Sequence, residues 1–338
     1  MSVGLTSMQS VSLSNATFIR PSSFYLIGLY NVPHAKYFYV FLCIVYAVTV
    51  LGNFFIMGTI YLARSLHTAK YIAVFNLALC DLCGSSALIP KVLDMFLVEN
   101  QYISYEACLG NMFFVYVFMT MQSLTLLAMA YDRLIAICFP LRYHAILTNT
   151  AMTLIIGAMW IFSLSVITLM VALITRLSFC RSTTVDSYFC DHGLFYLACN
   201  DYSMNFIIGN VLTAALLYFP LILIALSYVC IGFALQNISH GAEQSKAMKT
   251  CISHVILVAM FYLPIISVYT IAFTIPISAN VRIINTALTQ TIPPMLNPII
   301  YTLKTEEILQ CIKVLFKQTR VISAVERSVK KDCKKLTH

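Results

Sequence analysis

The feature that most constrains this chain is a series of long apolar segments that recur almost from end to end. A helix needs about 20 apolar residues to cross the roughly 30 Å hydrocarbon layer of a bilayer. Only 10% of the 338 residues are charged, against about 25% in soluble domains. Seven segments have the required length, and they cover approximately residues 37–62, 71–98, 107–139, 151–174, 204–236, 247–273 and 283–303. The sequence therefore predicts an all-α membrane protein, folded as one bundle of seven transmembrane helices.

The residues after the seventh span predict a short eighth helix at about 305–318 that lies in the membrane interface. Its apolar residues recur at helical spacing beside two lysines: Ile308, Leu309, Ile312, Leu315 and Phe316, with Lys313 and Lys317. Cys311 on this helix is either a palmitoylation site or a packed thiol. We therefore expect three regions: an N-terminal arm at 1–36, the seven-helix bundle at 37–303, and the amphipathic helix with a basic tail at 304–338.

The basic residues predict how the bundle is oriented. If the N-terminus is outside, 15 of the 21 Lys and Arg residues lie on the inner side, so the positive-inside rule predicts an extracellular N-terminus and a cytoplasmic C-terminus. No basic segment followed by an apolar core precedes the first span, and we expect no cleavable signal peptide. The sequon at Asn15 is then a glycosylation site, whereas the sequon at Asn237 stays bare inside the cell. The net charge of +8 predicts contact with anionic lipid rather than nucleic acid.

The third span ends in the string Met-Ala-Tyr-Asp-Arg-Leu-Ile-Ala-Ile-Cys-Phe-Pro-Leu-Arg-Tyr, residues 129–143. Arg133 in this string is either an anchor at the lipid headgroups or a charge held at the cytoplasmic rim by Asp132. The whole string resembles that of odorant receptors, a branch of the rhodopsin-like G-protein-coupled receptors. Other strings carry the same resemblance in the right order and spacing, namely Gly52-Asn53, 66–71, 77–81, Ser227-Tyr228, 246–254 and 293–301. The departures from the family's strings are Ala69, Lys70, Leu134 and Ile135.

This resemblance implies a plasma-membrane receptor, multi-pass, in the cilia of olfactory sensory neurons. It implies that a small-molecule odorant binds the outer half of the bundle and that a stimulatory (olfactory) G-protein α subunit binds inside, which raises cyclic AMP. Helix six is expected to pivot at Pro264, below Tyr262. The resemblance assigns the G-protein coupling switch to Asp132, Arg133, Tyr228, His254, Asn297, Pro298 and Tyr301.

The cysteines predict a disulfide framework rather than a metal site. Cys80 and Cys83 have the spacing of a metal pair, but they lie inside an apolar helix, where small thiols pack as core residues. The four outer cysteines allow three pairings. The resemblance implies one of these three pairings, with the disulfides Cys108–Cys190 and Cys180–Cys199.

One ionisable residue, Asp81, lies deep inside a predicted span. An ionised side chain costs about 2.5–3.5 kcal/mol at the centre of a bilayer, so Asp81 needs polar partners. Asn53, Gln122 and Asn297 are the candidates. The set is either a structural hydrogen-bond cluster or, as the resemblance suggests, a weak sodium site. The family often has Glu where Gln122 stands, and the loss of that carboxylate weakens an ion site.

A ligand cavity is expected between the outer halves of spans three, five, six and seven, beneath the loop that contains Cys190. Helical spacing and family position give Val115, Tyr116, Met119, Thr120, Leu212, Thr213, Leu216, Tyr262, Ile265, Ile266, Tyr269, Gln290 and Thr291. Each of these is alternatively a helix-packing residue. Val115 stands where amine receptors have a carboxylate, which favours small, neutral or weakly polar ligands. Asp191, His192 and Arg282 leave room for a charged one.

The sequence contains no catalytic motif of the HExxH, GxSxG or phosphate-loop kind, and we expect no enzyme. Two other functions remain open at this point. A rhodopsin-like receptor for an internal small molecule or lipid has the same strings, and the tissue distribution of the transcript distinguishes it. A channel or transporter requires pore-lining charges, which the predicted spans lack.

Overall fold

The computed structural model describes residues 18–29, 34–236, 241–274, 278–304 and 307–314. Side-chain positions are described for all of these except 242, 243, 246, 268–274, 279, 303 and 304. Several predicted sites lie outside the described residues: Asn15, Asn237, the side chain of Tyr269, and the tail beyond 314.

Seven long helices form one bundle in this part of the chain, which confirms the predicted fold class. They are α1 (Ala35–Leu62), α2 (Ala69–Leu97), α3 (Tyr105–Cys138), α4 (Asn149–Ile174), α5 (Ser203–Gln236), α6 (Ala242–Thr274) and α7 (Ala279–Lys304). Six of these described helices are long and apolar enough to cross a membrane. The seventh, α7, contains three prolines and several polar residues, and it packs against α1, α2 and α6.

The helix starts follow from local capping. Ser104 accepts a hydrogen bond from the Ala107 N–H at 3.3 Å where α3 begins. Thr148 accepts one from the Ala151 N–H at 3.1 Å where α4 begins. Each hydroxyl satisfies one of the N–H groups that the first turn of a helix leaves free. A short helix, Tyr143–Ile146, lies between α3 and α4.

Helix α5 is interrupted by a π-helical turn at Ala214–Tyr218, which ends two residues before Pro220. Proline has no N–H, so the carbonyl of Leu216, four residues earlier, loses its usual helical partner. The hydroxyl of Ser123 on α3 donates to this carbonyl at 2.8 Å. The irregular turn is therefore satisfied by a neighbouring helix, which binds α5 to α3 at this depth.

An N-terminal strand, β1 (Ser23–Leu26), is the centre of a three-stranded outer sheet that the sequence analysis did not predict. It pairs antiparallel with β2 (Tyr102–Ser104) and parallel with β3 (Thr184–Val185). Phe24 and Leu26 are completely buried, and the Phe24 ring lies 5.3 Å from that of Phe179 in an edge-on contact. The chain before α1 is thus part of a packed cap as well as an arm.

The eighth helix, α8 (307–314), packs against the inner end of the bundle. Ile308 is completely buried. Glu307 forms an ion pair with Lys70 at 3.1 Å and accepts a hydrogen bond from the hydroxyl of Tyr71. Cys311 Sγ lies 3.4 Å from Ser65 Oγ, so its thiol faces the bundle.

Phe24→Ala is expected to destabilise the cap, because removing a fully buried ring leaves a cavity and costs about 3 kcal/mol. The measurement is the apparent Tm of the purified protein in detergent. Phe18→Ala is the matched control, since the Phe18 ring is 51% exposed. Equal Tm values for the two variants would contradict the assignment of Phe24 to the core.

Candidate ligand cavity and inner switch

Two disulfides fix the outer loop between α4 and α5 over the bundle. Cys108 at the start of α3 is bonded to Cys190, with a Cα–Cα distance of 5.4 Å. Cys180 is bonded to Cys199 within the loop, with a Cα–Cα distance of 5.7 Å. Both are the disulfides that the family resemblance implies. The first brings the residues after Cys190 directly over the space between the helices.

Beneath this loop lies a cavity of about 440 Å³ between α3, α5, α6 and α7. Nine of the predicted ligand residues line it: Val115, Tyr116, Met119, Thr120, Leu212, Thr213, Leu216, Ile265 and Gln290. These residues lie on the inward-facing sides of their helices, in the outer half of the bundle. The cavity has the size of many small-molecule sites.

Three predicted ligand residues lie outside this lining, namely Tyr262, Thr291 and Ile266. Tyr262 is buried below the cavity floor, where its hydroxyl lies 2.7 Å from Ser123 Oγ. Thr291 is buried and donates to the Ala287 carbonyl of its own helix at 2.7 Å. Ile266 packs against the bundle core. Helical spacing alone could not separate these residues from the lining, because inward faces of adjacent helices contact each other as well as the cavity.

Other residues of the lining were not predicted. They come from the loop, α4, α5 and α7: Ser187, Phe189, Gly193, Phe195, Tyr196, Ile167, Met170, Phe206, Gly209, Asn210, Asn285, Thr286 and Thr289, among others. Loop residues follow no period, and contacts distant in sequence, such as the Cys108–Cys190 disulfide, place them over the cavity. The sequence signal that could have found the loop residues is their position on either side of Cys190.

Most of the polar groups around the cavity already have partners within the protein. Thr213 donates to the Gly209 carbonyl at 2.8 Å, and Asn285 Nδ2 donates to the Pro264 carbonyl at 3.1 Å. Gln290 Nε2 contacts Met119 Sδ at 3.2 Å. These contacts leave a mainly apolar surface in which a ligand finds few free hydrogen-bonding groups.

The charged groups lie at the outer edge of the cavity. Arg282 is exposed and donates to the Asp186 carbonyl at 2.8 Å. Burial raises the pKa of Asp191, and the nearby Arg282 opposes that shift. Burial lowers the pKa of His192 to about 4, so this imidazole is neutral at physiological pH. A small neutral or weakly polar molecule suits such a site.

The structure brings three of the four polar residues of the membrane interior together. Gln122 Nε2 donates to Asp81 Oδ1 at 2.8 Å, and Asn297 Nδ2 donates to Asp81 Oδ2 at 2.7 Å. Asn53 is not a partner of Asp81; its amide donates to the carbonyls of Thr49 and Pro294 at 2.8 and 3.0 Å. The Pro294 carbonyl is the one that Pro298 deprives of a helical N–H.

Amide N–H groups of Gln122 and Asn297 donate to both carboxylate oxygens of Asp81. Among the described residues, no three or more His, Cys, Asp or Glu side chains lie together in a way that could hold a metal. The cluster is a hydrogen-bonded link between α2, α3 and α7.

Ser123 connects the cavity to the two helices beside it, and the sequence analysis missed it. Ser123 belongs to the lining of the cavity, and its hydroxyl donates to the Leu216 carbonyl of α5 at 2.8 Å and lies 2.7 Å from the Tyr262 hydroxyl of α6. A serine in an apolar helix gives no sequence signal of such a role. Its position became evident only with the π turn at 214–218.

The predicted switch residues lie at the inner end of the bundle. Asp132 is buried and forms an ion pair with Arg133 at 3.3 Å. Asp132 also accepts a hydrogen bond from the Tyr143 hydroxyl at 2.8 Å. Tyr228 on α5 and His254 on α6 share a hydrogen bond of 2.6 Å.

Between these groups lies an inner cleft of about 250 Å³, lined by Arg133, His254 and Tyr301 among others. The Tyr301 hydroxyl contacts Met129 Sδ at 3.5 Å. Asn297, about one helical turn earlier in the same helix, donates a hydrogen bond to Asp81. The two polar clusters are therefore adjacent along α7, with Pro298 between their residues.

A family model and individual relatives both identify the same family. The family model for olfactory receptors matches residues 42–319. Human olfactory receptor 51F2 is 36% identical over 314 residues, 91% of each chain. Rat olfactory receptor 1496 is 35% identical over 87% of this chain and 95% of its own, and mouse olfactory receptor 1E16 is 34% identical over 89% and 96%. The chain belongs to the olfactory receptor family, which is a family of multi-pass membrane receptors and not of enzymes.

Proposed function

We propose that this receptor binds a small neutral or weakly polar odorant in the outer cavity and activates a stimulatory (olfactory) G protein, which raises cyclic AMP. The observation that carries the proposal is the position of Ser123. This residue belongs to the lining of the cavity, and its hydroxyl holds the Leu216 carbonyl and the Tyr262 hydroxyl. A ligand that displaces this side chain changes the contacts of α5 and α6 together.

The mechanism is a population shift between two arrangements of the inner end. The arrangement described above is the resting one, because Asp132 holds Arg133 and Tyr143, and α5 is bonded to α6 through Tyr228 and His254. A ligand that favours the other arrangement turns α6 at Pro264, where a proline interrupts the helix. Arg133 is then released into the inner cleft, which receives the G-protein α subunit.

The receptor lies in the plasma membrane of olfactory cilia, with its N-terminus outside and Asn15 glycosylated. The distribution of basic residues supports this orientation. The disulfides support it as well, because they lie at the same end of the bundle as β1 and require an oxidising compartment. Basic residues of the inner side contact anionic lipid. The contact of Cys311 with Ser65 favours a packed thiol over a palmitoylation site.

The experiment that tests the function measures cyclic AMP in cells that express this receptor with an olfactory α subunit. A panel of small volatile and water-soluble compounds is applied, and surface expression is quantified in the same cells. A dose-dependent rise supports the proposal. A receptor that reaches the surface and responds through another G protein would overturn the proposed coupling.

Arg133→Ala is expected to abolish the cyclic AMP response and to leave surface expression largely intact. Arg133 is the free charge that the inner cleft offers after it leaves Asp132, and alanine offers none. Arg64→Ala is the matched control, because Arg64 is an exposed arginine at the inner end of α1. Equal responses of the wild type and Arg133→Ala would remove Arg133 from the switch.

Tyr143→Phe is expected to raise basal cyclic AMP by up to about tenfold. The variant removes one hydrogen bond to buried Asp132, which contributes roughly 0.5–1.5 kcal/mol to the resting arrangement. The measurement is ligand-free cyclic AMP at equal surface expression, with Tyr61→Phe as a control on an exposed tyrosine. Basal activity that is unchanged or lower would show that the Tyr143 contact does not restrain the switch.

Ser123→Ala is expected to move the half-maximal concentration of any agonist downward by about tenfold. The resting arrangement then loses the contacts of Ser123 with the Tyr262 hydroxyl and the Leu216 carbonyl, roughly 1–3 kcal/mol, which a ligand no longer has to overcome. Ser165→Ala is the control, since the Ser165 hydroxyl bonds to a carbonyl of its own helix on an exposed face. A dose–response curve identical to that of Ser165→Ala would contradict the proposed link.

A further inference from the structure

The imidazole of His192 lies directly against the backbone of α5 at Gly209. A β-carbon at position 209 would lie 2.7 Å from His192 Cε1 and 2.9 Å from His192 Nδ1. Real carbon contacts are about 3.5–4.0 Å, so no residue larger than glycine fits while the ring stays in place. The absence of a side chain at 209 makes a notch in the helix, and the ring occupies it.

This close approach is particular to Gly209 within α5. Gly232 lies in the same helix, and among the described residues no atom comes within 4 Å of a β-carbon placed there. Glycine lowers helix stability by roughly 1 kcal/mol relative to alanine. At Gly232 the structure offers no packing reason for that cost, whereas at Gly209 the contact with the ring is one.

The surroundings of His192 leave the ring little room to move. Its backbone N–H donates to the Tyr116 hydroxyl of α3 at 3.3 Å. Its ring lies edge-on to Phe195, with 5.2 Å between the centroids. The Cys108–Cys190 disulfide fixes the chain two residues earlier. The loop is therefore attached to α3 on one side and rests on α5 on the other.

Shape, rather than a hydrogen bond at Nε2, holds the ring in the notch. Within the described part of the chain, His192 Nε2 is buried and has no hydrogen-bond partner. The low pKa that burial gives this imidazole keeps it neutral. A neutral ring inserted into an apolar notch gains dispersion contacts and needs no charge partner.

We propose that Gly209 and His192 form a specificity-determining pair, in which the Gly209 notch seats the His192 ring and thereby sets the length of ligand that the cavity accepts. Both residues line the cavity, so a ring that leaves the notch must enter the space of the ligand. The ligand part of this inference rests on the proposed function, whereas the seating of the ring does not.

The first test is a double-mutant cycle on the purified receptor, with the apparent Tm as the measurement and no ligand present. Gly209→Ala is expected to lower the Tm by about 2–4 °C, whereas Gly232→Ala leaves it unchanged or slightly higher. In a His192→Ala background, Gly209→Ala is expected to cause no loss, because the ring with which the methyl group collides is absent. Equal effects of Gly209→Ala in both backgrounds would overturn the pair.

The second test measures ligand length directly. Straight-chain primary alcohols of increasing length are added to the receptor in lipid nanodiscs, and binding is detected as a rise in Tm. Compared with the wild type, the longest alcohol that binds should be shorter in Gly209→Ala and longer in His192→Ala. Affinity should fall about fourfold for each methylene that a variant excludes and rise about fourfold for each methylene that it admits. An identical limit in the wild type and both variants would refute the role in specificity.

The two tests separate this inference from the proposed function. If no alcohol raises the Tm of any variant while the cycle shows coupling, the ring is seated as inferred and the proposed neutral ligand class is wrong. If alcohols bind and the cycle shows no coupling, the neutral ligand class stands and the Gly209–His192 pair is refuted.

Discussion

The structure depends on one constraint of the bilayer: backbone groups in hydrocarbon have no water to bond, so each carbonyl that a proline frees needs another donor. Pro220 frees the carbonyl of Leu216, and the hydroxyl of Ser123 on α3 takes the place of the missing N–H. Asn53 on α1 does the same for the carbonyl of Pro294 in α7. The prolines therefore define which helices must touch, and at which depth.

The same constraint ties the fold to the function. Ser123 cannot leave the Leu216 carbonyl without exposing an unpaired group, a cost of roughly 1–3 kcal/mol. Ser123 also belongs to the lining of the cavity, and its hydroxyl contacts Tyr262. The proposed ligand would therefore act on both helices through an interaction that the bundle already needs. Proline-bearing helices thus supply both the irregular backbone and its connection to a ligand.

The sequence predicted those features of the fold that follow from a repeated or family-specific sequence pattern. The seven helices of the bundle are confirmed, and six of those described are long and apolar enough to cross a membrane, because segments of twenty apolar residues have few other uses. The two disulfides that the family resemblance implied are also present. The strand at Ser23–Leu26 was missed, because its partners are some 80 and 160 residues distant and four residues have no measurable period. Asn53 was expected beside Asp81 and bonds instead to a carbonyl, which no side-chain pattern reveals. The contact of Gly209 with His192 likewise joins a helix to a loop without any repeat.

The two ends of the bundle differ in how they are held, and this difference gives the motion a direction. The outer end has two disulfides and a three-stranded sheet with a buried Phe24, and covalent bonds do not open in response to a ligand. The inner end is held by the side-chain contacts of Asp132 and of Tyr228 with His254, each of modest free energy. On the outer side of the cavity the loop is held by disulfides, whereas on its inner side the helices are held only by side-chain contacts. The proposed rearrangement is therefore expected at the inner end, because that is where the least free energy is needed.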